Sequence, residues 1–244
     1  MNQQRDLEGI SALVTGASSG IGQAAAEELG RHGAEVIVHG RDVARGSAVV
    51  DTITAEGGKA RFVAADLTDP NQLDGLVDQA GPVDVLVNNA GFSWFGPTGD
   101  LDVATFDRLF AANVRAPYFL VAALAPTMAA RGSGCIINVA SMAGQIGLAG
   151  GAAYGATKAT LAAMTRAWAA EFSPSGVRVN AIAAGPVLTP GAAPERIEAL
   201  GAMTLLSRAA QPSEIAEILA FLASPKASYV TGAVIAADGG RTAI

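Results

Sequence analysis

Short β-rich segments alternate with longer helical segments along this chain, and that alternation limits its possible folds more than any other feature. The strand-like runs are apolar and span residues 10–14, 35–38, 60–64, 83–87, 135–139, 177–182 and 234–236. Segments between them, such as 22–32, 43–56 and 157–172, have the length and apolar periodicity of crossover helices. Right-handed crossovers place helices on both faces of a parallel sheet. The sequence therefore predicts an α/β fold of three layers, doubly wound around a seven-stranded parallel sheet.

The chain has 244 residues, a length that fits either one large domain or two small ones. No Pro/Ser-rich linker, charge block or internal repeat interrupts the alternation, and the glycine-rich stretches fall at strand ends. A single domain over residues 1–244 is therefore expected. Ligands of such sheets bind beyond the carboxyl ends of the strands, so the residues that follow each strand are the candidate site.

Charge and hydropathy exclude several classes of partner. The formal net charge is −6 and the 16 basic residues are scattered, which argues against a nucleic-acid or anionic-membrane surface. The first residues lack a charged-then-apolar signal segment, so no export and a cytoplasmic location are expected. The uncharged run 116–130 is shorter than the ~20 apolar residues of a membrane-spanning helix and predicts a buried helix.

Metal and triad chemistry are also not expected. Cys135 is the only cysteine and lies in an apolar run, which predicts a place in a strand core. His32 and His39 are the only histidines, too few for a histidine metal cluster and too isolated for a Ser-His-Asp triad. Both are interpreted as structural or surface residues.

A glycine-rich turn follows the first strand and opens directly into a helix. Glycines there let the backbone turn tightly against a pyrophosphate, and the helix N-terminus supplies N–H donors. Any tight strand-to-helix junction also favours glycine, so the turn alone is weak evidence. Its place after the first strand predicts a dinucleotide site with contacts from Gly16, Ser18, Ser19, Gly20, Ile21 and Gly22.

The end of the second strand bears on the choice of cofactor. An NAD site places an acidic residue there to bind the ribose, but this chain continues with Arg41. A guanidinium attracts a 2′-phosphate, whereas a carboxylate repels it. NADP(H) is therefore preferred and NAD(H) stays possible, because Arg41 could be a solvated loop charge while Asp42 reaches the ribose.

The third and fourth strands also end in candidate contacts. Asp66 and Leu67 follow the third strand, where the carboxylate could accept a hydrogen bond from the exocyclic amine of adenine. The fourth strand ends in amides that could tie neighbouring strands together, followed by small residues that allow close approach of a cofactor. The predicted contacts of this second group are Asn89, Ala90 and Gly91.

Tyr154 and Lys158 stand four residues apart in a segment of helical pattern, with Ser141 thirteen positions upstream. Positions i and i+4 share a helix face, so the lysine ammonium could lie beside the phenol. A nearby cation lowers a tyrosine pKa by roughly one to three units from ~10, which suits acid/base work at neutral pH. An amphipathic helix could also place this pair by chance.

A chance origin of this pair becomes improbable once the other motifs of the chain are considered with it. In their order and spacing, these motifs resemble the short-chain dehydrogenase/reductase family over essentially the whole chain. The 3-oxoacyl reductases are among the members it is similar to. The motifs that carry the resemblance are Thr15-Gly16, Gly20-Ile21-Gly22, Asn88-Asn89-Ala90-Gly91, Asn113, Ser141, Tyr154-Gly-Ala-Thr-Lys158, Asn180 and Asp238-Gly239-Gly240.

The resemblance implies a Rossmann-like sheet and a role for each catalytic residue. Tyr154 would be the general acid/base, and Ser141 would hold the substrate oxygen. Lys158 would bind the nicotinamide ribose and lower the pKa of Tyr154, while Asn113 would organise a water-linked proton relay. The expected reaction is hydride transfer between the cofactor and a carbonyl or secondary alcohol.

One departure from the family pattern lies after the sixth strand. The family usually has Pro-Gly there, whereas this chain has Ala184 followed by glycine, which predicts a less rigid turn. Contacts to the nicotinamide end are still expected from Gly185, Pro186, Val187 and Thr189.

A substrate lid is expected at about 188–206, a segment of small and apolar residues that contains two prolines. The other expected walls of the substrate site are Ser93, Trp94, Phe95, Gln145, Ile146 and Gly147. Trp94 and Phe95 could equally be packing residues. No arginine cluster near the lid demands an acidic substrate.

The apolar helical runs 116–130 and 159–170 and the C-terminal segment resemble the contacts that make homotetramers in the family. Burial within the monomer is the alternative for the helices. The expected partners are thus a small ketone or alcohol and further copies of this chain. Two other functions stay open: a dinucleotide-binding regulator without catalysis, or an NAD-dependent sugar or polyol dehydrogenase.

Overall fold

The predicted architecture is present in the computed structural model, which describes residues 5–244; residues 1–4 of the expected domain lie outside the described residues. One sheet of seven parallel strands has the order β3-β2-β1-β4-β5-β6-β7. The strands are β1 (Ser11–Val14), β2 (Glu35–Gly40), β3 (Lys59–Ala64), β4 (Val85–Asn88), β5 (Gly134–Ser141), β6 (Val177–Ala184) and β7 (Val234–Ala237). The α/β, doubly wound Rossmann-like fold is therefore confirmed.

Within residues 5–244 the sheet is accompanied by eight α-helices. They are α1 (Gly20–Arg31), α2 (Val43–Ala55), α3 (Pro70–Ala80), α4 (Val103–Phe110), α5 (Ala116–Arg131), α6 (Ala152–Phe172), α7 (Pro194–Ala202) and α8 (Pro212–Ala223). Several begin at aspartates that accept hydrogen bonds from first-turn N–H groups, namely Asp42 for α2, Asp69 for α3 and Asp102 for α4. These caps fix where the crossover helices start.

Strands β1 to β6 send alternate side chains to two separate cores, as a period of two requires. In β1, Val14 packs with the helices of one face, while Leu13 packs with those of the other. The first core includes residues of α1, α2 and α8, and the second includes residues of α3, α5 and α6. Cys135 is buried in the first core, as predicted, and burial raises the pKa of its thiol to about 11.

Strands β5 and β6 extend two residues beyond their predicted ends. Ser141 pairs with Ala184 in the parallel register, and Ala184 pairs with Ala237 of β7. Ser141 is therefore held at the end of a strand in the middle of the sheet. Ala184 is the last residue of β6 and not part of the turn, so the predicted loosening of that turn does not follow from it.

The segment from α4 to α5 is one continuous helical stretch, Val103–Arg131, that is long and apolar enough to span a membrane. Half of its most apolar window is buried in this fold. Leu120, Leu124 and Met128 of α5 lie in the second core. Its outward face carries Tyr118 and Phe119, each about half exposed, so the predicted buried helix is buried on one side only.

Candidate active site

A cleft of about 970 Å³ lies beyond the carboxyl ends of the strands, where the topology predicts a ligand site. It runs from Arg41 at one end to Tyr154 and Lys158 at the other. Seventeen of the eighteen predicted cofactor residues line it, together with the predicted catalytic Ser141. The two predicted site residues that do not line the cleft are Gly22 and Asn113.

The glycine turn fits close approach of a dinucleotide. Gly16 and Gly20 have positive φ angles of 65° and 58°, and a Cβ on Gly16 would lie 2.8 Å from the Cα of Ala90. Ser19, at the N-cap of α1, makes no side-chain capping hydrogen bond. The N–H groups of the first turn thus face the cleft as donors for a phosphate.

Gly22 has a packing role instead. A Cβ at this position would lie 2.3 Å from both Asn89 Nδ2 and the carbonyl oxygen of Gly16. That amide nitrogen donates to the carbonyl oxygens of Thr15 and Gly16 at 2.9 and 3.1 Å. Gly22 therefore lets α1 pack closely against the turn, and its assignment as a direct cofactor contact finds no support in the geometry.

The asparagines at the end of β4 tie the strands together, as predicted. Asn88 Nδ2 donates to Asn138 Oδ1 of β5 at 2.9 Å. Asn138 in turn donates to Thr165 of α6 at 2.8 Å. This chain of hydrogen bonds links β4, β5 and the helix that carries Tyr154. Asn88, Asn138 and Thr165 are all buried, which strengthens the hydrogen bonds between them.

His39 is a buried structural residue, which is one of the two roles predicted for it. Its Nδ1 accepts a hydrogen bond from Gly16 N–H at 3.2 Å, and its Nε2 lies 3.1 Å from the carbonyl oxygen of Ala65. Burial lowers the pKa of His39 to about 4, so the ring is neutral and Nε2 is the donor. His39 thereby joins the glycine turn to the end of β3.

Arg41 and Asp42 differ in the hydrogen bonds and ion pairs that they form with other residues. Asp42 Oδ1 accepts from Arg45 N–H at 3.0 Å, and Asp42 Oδ2 pairs with Arg45 Nε at 2.9 Å. These hydrogen bonds from Arg45 lower the pKa of Asp42. Arg41 is exposed at the cleft and, within residues 5–244, forms no ion pair.

Asp66 lies at the same end of the cleft as Arg41. Its Oδ1 accepts hydrogen bonds from Thr68 N–H at 2.9 Å and from Thr68 Oγ1 at 2.8 Å. The Thr68 hydrogen bonds lower the pKa of this carboxyl against the opposing effect of partial burial. Asp66 is thus a fixed, ionised acceptor at the predicted adenine position.

Tyr154 and Lys158 share one face of α6, as the i, i+4 spacing predicts. The helix begins at Ala152, so Tyr154 lies in its first turn. Lys158 Nζ lies 5.8 Å from the centroid of the Tyr154 ring and donates to the carbonyl oxygen of Val139 at 2.7 Å. The ammonium therefore contacts the end of β5 and lies near the tyrosine ring.

Burial shifts the pKa values of both residues. It lowers the pKa of Lys158 to about 8, so the amine stays largely protonated at neutral pH. It raises the pKa of the Tyr154 phenol, an effect that a hydrogen-bonding interaction with Ser141 opposes. The implied lowering of the Tyr154 pKa by Lys158 is thus absent here, because burial outweighs the interactions that favour phenolate.

Asn113 lies in a π-helical turn, Ala111–Arg115, between α4 and α5. Its Nδ2 donates to the carbonyl oxygen of Phe92 at 2.9 Å and to Thr157 Oγ1 at 3.1 Å, and its Oδ1 accepts from Phe92 N–H at 3.0 Å. Thr157 donates in turn to the carbonyl oxygen of Tyr154 at 2.7 Å. The Asn113 side chain thus ties the loop after β4 to the first turn of α6.

The substrate end of the cleft differs from the prediction in several residues. Ser93 and Phe95 line the cleft, but Trp94 does not. The segment 145–147 lines a separate, smaller depression of about 380 Å³. Of the two interpretations of these aromatic residues, the geometry favours a wall for Phe95 and packing for Trp94.

The predicted lid contains helix α7, which the sequence analysis did not anticipate. Its base is closed by a bridge between Val187 and Ala210, with Leu188 N–H donating to the Ala210 carbonyl oxygen at 2.9 Å. The turn before α7 lines the cleft with Gly191 and Ala192, and the N-cap and body of α7 line it with Ala193, Arg196, Ile197 and Leu200. From Ala193 onwards the cleft-lining positions have a helical period. Their spacing of three, four and seven is a helical signal that was present in the sequence.

Three arginines that line the cleft were missed from the sequence: Arg45, Arg108 and Arg196. Arg45 lies in the first turn of α2, three residues after the N-cap Asp42, and so stays close to Arg41 at the end of β2. Arg108 and Arg196 come from α4 and α7, which lie far apart in the chain. Only the tertiary fold brings these two to one cleft.

Within residues 5–244, no group of three or more His, Cys, Asp or Glu side chains is arranged to hold a metal ion. The polar groups of the cleft are instead glycine-turn N–H donors, amides, hydroxyls, cations and the single carboxylate of Asp66. That donor set fits a phosphate-bearing dinucleotide at one end and a polarised carbonyl at the other.

Comparison with known proteins agrees with this geometry. A family model described as enoyl-(acyl carrier protein) reductase matches residues 16–242. Cyclopentanol dehydrogenase of Comamonas sp. (strain NCIMB 9872) is 38% identical over 240 residues, which cover 95% of this chain and 96% of the relative. Cis-4-hydroxycyclohexanecarboxylate dehydrogenase of Sinomonas cyclohexanicum is 41% identical over 242 residues, covering 96% of each. The chain belongs to the short-chain dehydrogenase/reductase family.

Solved structures of the family superimpose closely. One short-chain dehydrogenase/reductase family protein is 49% identical with a TM-score of 0.91, covering 98% of this chain and 100% of its own. The angucycline C-6 ketoreductase LanV, solved with bound NADP, is 34% identical with a TM-score of 0.90, covering 99% of each chain. This short-chain dehydrogenase/reductase is an NAD(P)-dependent oxidoreductase that acts on alcohols or ketones.

Proposed function

We propose that this protein is an NADP(H)-dependent oxidoreductase that interconverts a ketone and a secondary alcohol, with Tyr154 as the general acid/base. The observation that carries the proposal is the convergence of Tyr154, Lys158 and Ser141 at one end of a cleft whose other end carries Arg41. Proton-handling groups and a phosphate-binding turn are thus spaced along one continuous site.

The cofactor would be held by the residues that the cleft presents. The glycine turn and the start of α1 would bind the pyrophosphate, and Asp66 and Leu67 would contact the adenine. Lys158 would bind the nicotinamide ribose, with the segment 185–189 beside the nicotinamide. When bound, the reduced cofactor supplies the hydride that carbonyl reduction requires.

Side chains of the protein would bind the carbonyl oxygen of the substrate and supply its proton. Ser141 and Tyr154 hydroxyls would donate to the substrate carbonyl and stabilise the negative charge that develops on its oxygen. Tyr154 then gives its proton to that oxygen. Burial keeps the phenol protonated, which suits reduction, while the Lys158 cation would stabilise the phenolate that remains. Asn113 would hold Thr157 and thereby the first turn of α6; its part in a proton relay stays a prediction.

The preference for NADP(H) is supported by the state of two side chains. Asp42 is committed to Arg45 and to the start of α2, so it is less available to a ribose hydroxyl. Arg41 is exposed at the cleft without a partner in the described residues, which suits a 2′-phosphate. Arg45 adds a second cation at the same end of the cleft.

Two of the relatives and the walls of the cleft support a ring-sized alcohol or ketone as the substrate. Both curated relatives are named for ring alcohols. The apolar side chains at the substrate end, including Phe95, Leu148 and Leu200, suit a ring-sized carbon skeleton.

Three broader expectations are part of the same proposal. We expect a single domain over residues 1–244, with 188–206 as its lid. A homotetramer is expected because exposed apolar side chains cluster on α4 and α5 and again near the C-terminus. A cytoplasmic location remains a prediction from the sequence.

The decisive experiment measures NADPH and NADH oxidation optically with a panel of cyclic ketones and one 3-oxoacyl thioester. We expect turnover of a cyclic ketone, with kcat/KM for NADPH above that for NADH. Faster turnover with NADH would replace the cofactor assignment. Tight dinucleotide binding without turnover of any ketone, or of the corresponding alcohols, would favour a regulatory binding protein.

A further inference from the structure

The substrate end of the cleft contains a guanidinium that has no anion beside it. Arg196 Cζ lies 3.6 Å from the centroid of the Phe95 ring. That ring lies 5.4 Å, centroid to centroid, from the ring of Tyr154. Arg196 therefore stands one aromatic ring away from the proposed proton donor.

Nothing on its own helix neutralises Arg196. Its neighbours one turn away on the cleft side are apolar, and Glu195 and Glu198, at one and two residues' distance, lie off that face. Across residues 5–244, Arg196 takes part in no ion pair. The charge is thus held over an aromatic face, which favours a cation but leaves its N–H donors free.

Carboxylates are also missing from the walls around it. Among the cleft-lining residues of the described chain, Asp66 is the single carboxylate, and it lies at the opposite, adenine end. A second guanidinium, Arg108, lies over the Phe92 ring with Cζ 5.6 Å from its centroid. The substrate end therefore combines positive charge with apolar walls.

We propose that Arg196 binds a carboxylate of the substrate, so that the preferred substrates are oxo acids or hydroxy acids with an apolar, ring-sized skeleton. The inference rests on the proposed function, because it takes Tyr154 as the point where the carbonyl oxygen binds. With one aromatic ring between Tyr154 and Arg196, the carbonyl and the carboxylate lie at opposite ends of the substrate.

The guanidinium is suited to this task for two reasons. Its planar fork can donate two parallel hydrogen bonds to a carboxylate. Contact with the Phe95 ring restricts the side chain before the substrate arrives, which lowers the entropic cost of binding. Because Arg196 belongs to lid helix α7 and Phe95 to the loop after β4, a bound carboxylate also connects the lid to the body of the protein.

The test compares two ketones that differ only in charge, 4-oxocyclohexanecarboxylate and its methyl ester, each with NADPH. Wild type is expected to reduce the acid with the higher kcat/KM. Arg196→Leu should lower kcat/KM for the acid by about 10- to 100-fold and leave the ester within about threefold. Arg196→Lys should retain an intermediate preference, since it keeps the charge but loses the fork. Glu195→Gln, at the adjacent position of the same helix, controls for disturbance of the lid and should leave kcat/KM for both substrates unchanged.

Two results would overturn the inference. One is a wild type that reduces the ester as well as the acid. The other is an Arg196→Leu variant in which kcat/KM falls to the same extent for the acid and the ester, because that pattern indicates a general role of Arg196 in the lid.

A binding measurement separates this inference from the proposed chemistry. The NADP⁺-bound protein is titrated in a calorimeter with cyclohexanecarboxylate and, separately, with the neutral cyclohexanecarboxamide. Binding of these compounds is measured without any turnover. Carboxylate binding that is lost in Arg196→Leu, without reduction of any ketone, would support the carboxylate site while contradicting the proposed reaction. Equal binding of the acid and the amide would contradict the carboxylate site even in an active enzyme.

Discussion

At the scale of single residues, the site holds a lysine in a setting that costs stability. Lys158 is 6% exposed, and burial lowers its pKa from 10.5 to about 8. A shift of that size corresponds to about 3 kcal/mol at neutral pH. The cation is retained because the proposed reaction needs it beside Tyr154, an instance of stability exchanged for function.

Lys158→Met should therefore stabilise the cofactor-free protein by about 1 to 3 kcal/mol at pH 7 while reducing turnover. The folded-state pKa is lowered, so between about pH 8 and 10.5 the unfolded chain binds more protons than the folded one. Wild-type stability then rises with pH through this window, and the advantage of the variant shrinks. Urea unfolding of both proteins at pH 7 and pH 9.5 measures the difference. An advantage that is absent at pH 7, or that grows with pH, would contradict the account.

Arg41 carries the second residue-scale prediction. Arg41→Asp should raise the Kd for NADPH by about 10- to 100-fold and change the Kd for NADH far less, because only NADPH carries the 2′-phosphate. Fluorescence titration with both cofactors provides the measurement. Arg45→Leu in the same assay shows whether the second guanidinium shares the phosphate. An unchanged preference in Arg41→Asp would remove the basis for NADP(H).

At the scale of elements, the join between β6 and β7 is more tightly packed than the start of the lid segment, before α7. A Cβ on Gly185 would lie 2.5 Å from the Cα of Asp238, a contact with backbone that cannot move aside. Around Gly191, in the lid segment, nothing lies within 4 Å of a built Cβ. The two glycines thus form a matched pair with opposite surroundings.

Gly185→Ala should lower the free energy of unfolding by about 1 to 3 kcal/mol and weaken cofactor binding, because the join must move apart. Gly191→Ala should be neutral or slightly stabilising. The urea midpoints of the two variants, measured side by side, test the contrast. Equal midpoints would show that the β6–β7 join has more room than its geometry indicates.

The elements also show what the sequence could predict and where it fell short. Strand positions followed from apolar runs, and the i, i+4 spacing placed Tyr154 and Lys158 on one face. The pKa of Tyr154 did not follow, because burial depends on the packed cleft and not on spacing. Arg108 and Arg196 were missed for a related reason: their helices lie far apart in sequence and meet only through the fold. Helix α7, by contrast, had a readable periodicity that the prolines of the lid obscured.

At the scale of the whole molecule, two apolar surfaces outside the lid, whose own exposed residues are Met203, Leu205 and Leu206, remain without a partner in the described chain. One lies on α4 and α5 and includes Val103, Tyr118 and Phe119; the other, near the C-terminus, includes the fully exposed Tyr229. Separate clusters of this kind suit two different two-fold contacts, which together generate a tetramer.

Sedimentation velocity should therefore give a mass four times the 24.4 kDa of one chain. Phe119→Glu and Tyr229→Glu should each reduce the assembly to dimers through loss of one contact, and the double variant should be monomeric. The exposed Lys59→Glu, on the edge strand β3 away from both surfaces, serves as the control. A wild type that sediments as a monomer at micromolar concentration would contradict the tetramer.

The central claim for the molecule is that Tyr154 delivers the proton, and one substitution tests it most directly. Tyr154→Phe removes a single hydroxyl and keeps the ring that packs against Phe95. We expect kcat for ketone reduction to fall by at least about 10³-fold while the Kd for NADPH changes by less than about threefold. A variant that binds NADPH normally and still turns over within about tenfold of wild type would contradict the claim.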